Sequence, residues 1–173
     1  DEYRPMFDTG VIKLLTLAPE YPGNQALIPF AVQRGAAVAA GHTRASYDDM
    51  CRAVELGMTQ VTHLFNGMDS LHHRKPGVVG AGLALDGLRC QLIADNIHIH
   101  PAVLKLAVRA KGVQGILLVS DAMSGTGMPD GHYDLGGQAV TVLDGVARIA
   151  SGAATGALAG STLTMERAIK NIM

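Results

Sequence analysis

The sequence has 173 residues, of which 48% are hydrophobic and 17% charged, with 14 Lys and Arg residues against 15 Asp and Glu residues. The net charge of −1 excludes binding of polyanions by bulk charge, and the hydrophobic fraction excludes a disordered chain. Two cysteines exclude a disulfide scaffold and suit a reducing compartment, so we expect a cytoplasmic protein. The sequence contains no run of about 18 apolar residues, so no membrane span is expected.

In chain order, short β-prone segments alternate with helical patterns up to residue 119. Strands are predicted over residues 11–17, 36–40, 59–62, 89–94 and 115–119. Helices are predicted over residues 24–34, 46–56 and 101–111, and an apolar segment lies near residues 78–85 after a glycine-rich stretch. Apolar strands that are separated by helices are typical of a buried parallel sheet. We therefore predict an α/β fold and one domain over residues 1–173.

The pattern changes after the fifth predicted strand. An antiparallel excursion is predicted over residues 133–149, with residues 143–146 as its turn. A last helix is predicted to begin near Ser161 or Thr162, since either hydroxyl can cap it. The chain begins without a methionine and stops inside an apolar-periodic segment, which we interpret as a piece of a longer protein.

A titratable or metal-ligating side chain follows each of the five predicted strands, namely Glu20, His42, His63, Asp95 and Asp121. Parallel α/β folds place their sites at the carboxyl ends of the strands. A single acidic residue at such a place often only caps the next helix. Five cases in five strands favour a shared site.

His42 and His63 are the strongest pair in this set. Neutral imidazoles ligate zinc and related divalent metals, and the tips of adjacent strands lie about 4.8 Å apart. Either histidine alone is explained by a bond to loop backbone, but the pair favours a metal. Asp121 suits proton transfer to and from a metal-bound water, although a helix cap or a bond to a histidine ligand also explains it.

Four further segments give weaker signals. His98, close to Asp95, is a candidate substrate contact or an ordinary residue at a helix entry. Glu20 is a candidate third metal ligand or a structural carboxylate. Arg74 lies in a small basic loop that can bind a phosphate or be only solvated. The Ala-Gly-Ser segment at residues 159–161 can present backbone N–H groups to an anion.

Six short motifs occur in order along the chain: GHT at 41–43, THLFNGM at 62–68, HRKPG at 73–77, ADNIH at 94–98, SDA at 120–122 and AGSTLTM at 159–165. This series resembles the N-acetylglucosamine-6-phosphate deacetylases of the amidohydrolase superfamily over nearly the whole chain. The resemblance implies a partial (β/α)8 TIM barrel, about the last five strands, with a β-hairpin excursion before the last helix. It also implies hydrolysis of N-acetylglucosamine 6-phosphate to glucosamine 6-phosphate and acetate, in amino-sugar metabolism.

The resemblance also implies roles for individual residues. His42 and His63 match two ligands of one divalent metal, zinc or iron, and Asp121 matches a catalytic aspartate. Arg74 matches an arginine that reaches the phosphate in the neighbouring subunit's site, which implies a homodimer. The other implied substrate contacts are Asn66, Gly67, Asp95, His98, Ala159, Gly160 and Ser161.

The sequence departs from the family in what it lacks. It has no His-x-Glu-Gly-Pro segment, which carries the family's metal-binding glutamate, and the resemblance does not carry that role onto Glu20. The family's histidine that polarises the acetyl carbonyl, three barrel strands and a small β-sandwich have no counterpart either. These departures predict that the chain alone is an incomplete barrel, whose own activity is a separate question.

Two other interpretations stay open from the sequence. The chain can belong to a related amidohydrolase that acts on another N-acetyl sugar or a cyclic amide. It can also form an open doubly wound sheet that only binds a small ligand, with structural histidines. The absence of a basic surplus and the 4% aromatic content argue against nucleic-acid binding.

Overall fold

The computed structural model describes residues 3–173. These residues divide into two compact units. The first unit contains residues 3–91 and 106–117, and the second contains residues 92–105 and 118–173. No helix in the described residues is long and apolar enough to cross a membrane.

The parallel sheet has five strands in the order β1-β2-β3-β4-β5, the order of the sequence. The strands are β1 (Leu14–Leu17), β2 (Ala37–Ala40), β3 (Gln60–Val61), β4 (Arg89–Leu92) and β5 (Ile116–Leu118). Neighbouring strands from β1 to β4 pair in parallel. Small aliphatic side chains of β2 and β3 are fully buried, because helices follow the strands along the chain and supply apolar neighbours. The predicted α/β class with a parallel sheet is confirmed.

Four helices connect the strands, three of them where helices were predicted and one on the apolar segment near residues 78–85, and a short helix precedes the first strand. They are α1 (Arg4–Asp8), α2 (Pro22–Gln33), α3 (Tyr47–Glu55), α4 (Gly77–Ala84) and α5 (Pro101–Lys111). The start of α3 is a capping box, in which Ser46 and Asp49 exchange side-chain and backbone hydrogen bonds. The short helix α1 and a 3-10 turn over Val113–Gly115 were not predicted.

The second unit contains a three-stranded antiparallel meander of β6 (Gly131–Leu135), β7 (Gln138–Leu143) and β8 (Val146–Ile149). The predicted turn is present, with positive φ at Asp144 and Gly145. A second hairpin turns at Gly136 and Gly137, both also at positive φ, so the predicted excursion is one strand longer than a hairpin. The meander packs on a core of Met123, Val140, Val142, Ala147, Ile149 and Ala159.

The last helix, α6 (Met165–Ile172), begins later than predicted. Its N-cap is Thr164, whose hydroxyl accepts a hydrogen bond from the backbone N–H of Arg167 at 3.4 Å. The prediction of a cap at Ser161 or Thr162 is wrong because both hydroxyls bond elsewhere. Ser161 donates to the Ser120 carbonyl, and Thr162 donates to the Gly145 carbonyl at 2.5 Å.

Candidate functional site

The first unit brings two histidines together at the carboxyl ends of neighbouring strands. His42 lies two residues after the end of β2, and His63 lies two residues after the end of β3. Their Nε2 atoms are 3.0 Å apart, and the rings meet edge to face with centroids 4.7 Å apart. His63 is buried, and both residues adopt positive φ, 49° for His42 and 30° for His63. Such backbone strain in residues other than glycine concentrates at functional sites. We call these two residues the histidine pair.

Gly41 makes room for the histidine pair between the strands. A Cβ atom on Gly41 would lie 2.6 Å from Thr16 Cγ2 and 2.8 Å from Thr62 Cβ. These two threonines flank Gly41 and share a hydrogen bond of 3.0 Å between their hydroxyls. A side chain at residue 41 would therefore separate β1 and β3 from β2 where His42 emerges. Only glycine fits this position.

The loop after β3 folds against His42. Gly67 lies at φ +61°, and a Cβ there would come within 3.0 Å of His42 Nδ1. The backbone N–H of Thr43 donates to the Gly67 carbonyl at 3.1 Å, which ties the two strand-end loops together. Asn66 donates from Nδ2 to the carbonyls of His63 at 3.2 Å and Leu64 at 3.3 Å. The structure thus places Asn66 and Gly67 where they shape the histidine pair.

Glu20 holds the segment that follows His42. Its Oε2 accepts the Thr43 hydroxyl at 2.5 Å, and its Oε1 accepts the Arg44 backbone N–H at 2.9 Å. Both carboxylate oxygens are therefore engaged with protein groups. Of the two roles that the sequence left open for Glu20, these contacts favour the structural one.

The donor set of the histidine pair suits a divalent metal ion. Two ligand nitrogens of one tetrahedral zinc, each about 2.0–2.1 Å from the ion, lie about 3.3 Å apart, close to the separation of the two Nε2 atoms. At this distance the two nitrogens cannot both carry a hydrogen, so at least one presents a lone pair. In residues 3–173 no group of three or more His, Cys, Asp or Glu side chains is arranged to hold a metal ion. The pair supplies two ligands and needs a further one.

Arg74 lies apart from the histidine pair, on an exposed loop. Its guanidinium donates to His73 Nε2 at 2.6 Å, and its backbone N–H donates to His72 Nδ1 at 3.2 Å. A cleft of about 570 Å³ opens beside it, and Arg44 and Lys75 also line that cleft. The basic loop thus presents Arg74 to the surface.

In the second unit, Asp95 and His98 form a buried hydrogen-bonded pair, which we call the dyad. Asp95 Oδ2 accepts from His98 Nδ1 at 2.7 Å, and the two side chains are 5% and 6% exposed. Asp95 Oδ1 accepts the backbone N–H groups of Ile97 at 2.9 Å and His98 at 2.8 Å. Burial raises the pKa of Asp95, but the bonds from His98 and the two backbone groups outweigh it and lower the pKa below its ordinary value.

The dyad lines a small cavity of about 10 Å³, which we call the dyad cavity. Of the predicted substrate-binding residues, Asp95, His98, Gly160 and Ser161 meet there. The other lining residues were not predicted as site residues; they are Ile97, Gly145, Val146, Ala147, Leu158 and Thr162. None of them carries chemistry that would have singled it out. Ala159 is buried in the core of the meander instead, with its N–H bonded to the Ala147 carbonyl at 3.1 Å.

Asp121 also lies in the second unit, three residues after β5, at φ 49°. Its carbonyl accepts the backbone N–H of Ser161 at 2.7 Å, and a Cβ on Gly160 would lie 3.0 Å from the same oxygen. These contacts hold the segment around residue 121 against the 160–161 turn. The residue itself is exposed, so its carboxylate is open to a ligand.

Comparisons with known proteins agree with the resemblance seen in the motifs. No protein-family model matches the chain. Over 161 residues the chain is 46% identical to N-acetylglucosamine-6-phosphate deacetylase of Lysinibacillus sphaericus, a match that covers 93% of this chain and 41% of that protein. It is 40% identical to N-acetylgalactosamine-6-phosphate deacetylase of Escherichia coli O157:H7, over 94% of this chain and 42% of that protein.

Solved structures give the same result at the level of the fold. The N-acetylglucosamine-6-phosphate deacetylase of Thermotoga maritima matches with a TM-score of 0.87 at 39% identity, over 93% of this chain and 43% of that one. A variant of the Mycobacterium smegmatis enzyme, solved with N-acetyl-D-glucosamine-6-phosphate, matches with a TM-score of 0.89 at 37% identity, over 94% of this chain and 42% of that one.

These matches identify the class of fold: the chain is part of an α/β barrel of the kind found in sugar-phosphate deacetylases. The predicted partial barrel is therefore confirmed. By sequence, the chain is a partial homologue of the N-acetylglucosamine-6-phosphate deacetylases. It spans about two fifths of the length of the curated relatives that it matches.

Proposed function

We propose that the full-length protein containing this chain removes the acetyl group from N-acetylglucosamine 6-phosphate, giving glucosamine 6-phosphate and acetate. The observation that carries the proposal is the approach of the two Nε2 atoms of His42 and His63 to 3.0 Å at adjacent strand ends. Relatives and solved structures of this name, at 37–46% identity over most of the chain, support the substrate class.

The histidine pair would hold a divalent metal, zinc or iron, together with a ligand from elsewhere in the protein. Such a metal supplies Lewis acidity and lowers the pKa of water towards neutrality. His42 and His63 bind through Nε2, and the fixed separation of these atoms limits the cost of ordering them. Gly41 and Gly67 keep His42 in place, because any larger residue would displace its backbone or its ring.

Asp121 is the proposed proton carrier. Its carboxylate takes a proton from the attacking water and later gives it to the departing amine of the sugar. Asp121 has a left-handed backbone conformation, and its carbonyl accepts a hydrogen bond from the Ser161 N–H. Together these features restrict the orientation of its exposed side chain. A residue that takes up and releases a proton in one catalytic cycle must be accessible to the substrate, and the Asp121 side chain is exposed.

The substrate-binding residues have a positioning role. Arg74 would bind the 6-phosphate in the site of a second copy of the protein, which makes the working form a homodimer; its exposure on a surface loop supports this proposal. His98, Gly160 and Ser161 would contact the sugar from the wall of the dyad cavity, which at about 10 Å³ is itself too small to hold a sugar group. We further propose that the protein works in the cytoplasm, where sugar phosphates are held.

A second candidate substrate is N-acetylgalactosamine 6-phosphate. Three relatives bear the name of that activity, including one from Shewanella at 38% identity over 94% of this chain. The two sugars are epimers at one ring carbon, so the same histidine pair and the same proton carrier serve both. The choice between them depends on residues around the ring hydroxyls.

The test is release of acetate by the purified full-length protein from each of the two sugar phosphates and from N-acetylglucosamine without phosphate. We expect turnover on at least one sugar phosphate and little on the sugar that lacks the phosphate. The variant Asp121→Asn is expected to keep its metal and to lose at least about 100-fold in kcat, as general acid–base residues do. Turnover of that variant near the wild-type rate would overturn the role of Asp121.

The matched control is Asp134→Asn. Asp134 also lies in the second unit, but its carboxylate only accepts the Gly137 backbone N–H in a meander turn at 2.9 Å. Its replacement should leave both turnover and metal content within about twofold of the wild type. A similar loss in both variants would mean that Asp121→Asn acts by damaging the second unit and not by removing a proton carrier.

A further inference from the structure

Glu20 ties the end of β1 to the segment that follows the first residue of the histidine pair. Its Oε2 accepts the Thr43 hydroxyl and its Oε1 accepts the Arg44 backbone N–H, across 23 and 24 residues of sequence. The segment after His42 is therefore held by the end of a neighbouring strand and not only by its own chain.

His42 needs such support because its backbone is strained. It lies at φ 49°, a region that residues other than glycine occupy when the surrounding structure imposes it. Gly67 fixes the same segment from another side, since its carbonyl accepts the Thr43 N–H at 3.1 Å. The residue after His42 is thus bonded through its hydroxyl to Glu20 and through its N–H to Gly67.

The burial of Thr43 makes the carboxylate hard to replace. Thr43 is 2% exposed, so water is largely kept away from its hydroxyl. That hydroxyl donates to Glu20 and accepts the Ala45 N–H at 3.1 Å. A buried hydroxyl without an acceptor is costly, so removal of the carboxylate would shift the backbone next to His42.

We propose that Glu20 is a positioning residue for the metal site, which holds His42 in the conformation that brings its Nε2 beside that of His63. Both oxygens of Glu20 are engaged with protein groups, so the residue acts through the loop and does not itself ligate the ion. This inference rests on the metal site of the proposed function and adds a residue of a third strand end to it.

The measurement is the dissociation constant of Zn²⁺ from the full-length protein, obtained by competition with a chromophoric chelator. Glu20→Ala should raise this constant about 10- to 100-fold, as loss of groups that orient metal ligands does. Glu20→Gln should stay within about threefold of the wild type, because its amide can accept the Arg44 N–H and donate to the Thr43 hydroxyl. A loss in Glu20→Gln as large as in Glu20→Ala would identify a direct metal ligand and overturn the proposal.

The matched control is Asp49→Ala in the same unit. The Asp49 carboxylate also accepts a hydroxyl, at 2.6 Å, and a backbone N–H, at 2.9 Å, but both belong to Ser46 at the start of α3, and it pairs with Arg52 as well. Its removal should lower stability in urea and leave the dissociation constant of Zn²⁺ within about twofold of the wild type. Equal losses of affinity in Asp49→Ala and Glu20→Ala would mean that general loosening of the unit weakens the metal, which contradicts a positioning role.

Thr43→Val provides a second test if Glu20→Ala folds poorly. Valine fills nearly the same space without the hydroxyl, so it removes the link to Glu20 and should raise the dissociation constant at least about fivefold. The double variant Glu20→Ala/Thr43→Val should bind Zn²⁺ no more than about threefold more weakly than Glu20→Ala, because both substitutions break one link. Fully additive losses would show two separate causes and refute the inference.

Metal binding and acetate release distinguish this inference from the proposed function. If the wild type binds one ion through the histidine pair and releases no acetate while the variants respond as expected, the proposed function fails and the role of Glu20 stands. If the wild type binds no Zn²⁺, or binds it equally well in His42→Ala/His63→Ala, the metal site and the role of Glu20 both fail.

Discussion

The two units present their candidate residues in different ways. In the first unit the histidine pair follows two strand ends in strained backbone, where Gly67 leaves room beside the His42 ring and Gly41 leaves room between Thr16 and Thr62. In the second unit the dyad stands on a loop that its own carboxylate organises through two backbone hydrogen bonds. Rigid strands therefore fix the first arrangement, whereas local hydrogen bonds fix the second.

The histidine pair and the dyad therefore depend on different properties of the residues around them. Metal ligands must keep a separation set by the ion, so tolerance for movement is small and steric fit matters most. A hydrogen-bonded substrate contact needs the correct donor and acceptor pattern, which one carboxylate can supply. Substitutions that change size should damage the first unit more, and those that change hydrogen bonding should damage the second.

The largest expected effect is removal of the metal ligands. In the full-length protein the double substitution His42→Ala/His63→Ala should lower the metal content from about one divalent ion per chain to below about a tenth. Elemental analysis of the purified protein measures this directly. Unchanged metal content would refute the histidine pair as the metal site.

The chain supplies its own control in a second pair of histidines. His72 and His73 are also neighbours, but they are exposed and their rings stack with centroids 4.4 Å apart. Stacked rings do not direct two nitrogens at one ion. The double substitution His72→Ala/His73→Ala should therefore leave the metal content unchanged, which separates loss of a site from loss of histidine itself.

The next largest expected effect tests whether steric fit around residue 41 stabilises the first unit. Gly41→Ala should destabilise the chain by about 1–3 kcal/mol, because the new methyl group overlaps Thr16 and Thr62. Urea unfolding measures the loss. The control is Gly23→Ala in α2, where a Cβ would meet nothing within 4 Å, and its effect should be below about 0.5 kcal/mol. Equal effects of the two substitutions would show that the threonines yield easily and that Gly41 is not needed.

Much of this arrangement is visible in the sequence, and the reason is the regular period of the βα units. Apolar strands followed by a polar residue predict both the parallel sheet and the residues at its carboxyl edge, including His42 and His63. The capping box at Ser46 is also local in sequence, because Ser46 and Asp49 are only three residues apart. Patterns that involve a few adjacent residues are readable without the fold.

The parts that escaped prediction depend on contacts between distant segments. The clash that reserves residue 41 for glycine involves Thr16 and Thr62, which are separated by 46 residues. The β7–β8 turn lines the dyad cavity through Gly145, which has no side chain to mark it. The cap of α6 was misplaced because the hydroxyls of Ser161 and Thr162 are used by other loops.

A smaller effect appears at alkaline pH and concerns the first unit alone. Burial raises the pKa of the Cys90 thiol to about 11, above its ordinary value of 9.0. The folded state thus holds this proton more tightly than the unfolded state. The stabilisation is complete below pH 9 and is lost as the pH rises through 11, by about 2–3 kcal/mol in total.

Cys90→Ala isolates this contribution from other groups that titrate in the same range. The difference in unfolding free energy between wild type and variant should shrink between pH 9 and pH 11. A difference that stays constant with pH would contradict the raised pKa. Cys51, which is only partly buried, provides the comparison, because it should react with a thiol reagent at pH 8 while Cys90 should not.

The smallest effect compares one helix cap from each unit. Ser46 in the first unit makes a full capping box, in which its hydroxyl accepts the Asp49 N–H at 3.1 Å and its own N–H donates to Asp49 at 2.9 Å. Thr164 in the second unit makes a single long bond. Ser46→Ala should therefore cost about 1 kcal/mol and Thr164→Ala about half as much, measured by urea unfolding.

The pKa of Asp49 provides an independent test of the capping box at Ser46. Hydrogen bonds from the Ser46 side chain and backbone lower the pKa of Asp49 below its ordinary value of 3.8. A carboxylate with a lowered pKa contributes stability above its ordinary pKa, and the contribution is lost as the pH falls through the folded value. In Ser46→Ala an NMR titration should show the pKa of Asp49 moving up towards 3.8, because the largest of the bonds that lower it is gone. If the pKa stayed low, the backbone bond and Arg52 would hold the carboxylate without the hydroxyl, and the two caps would be closer in strength than their geometry implies.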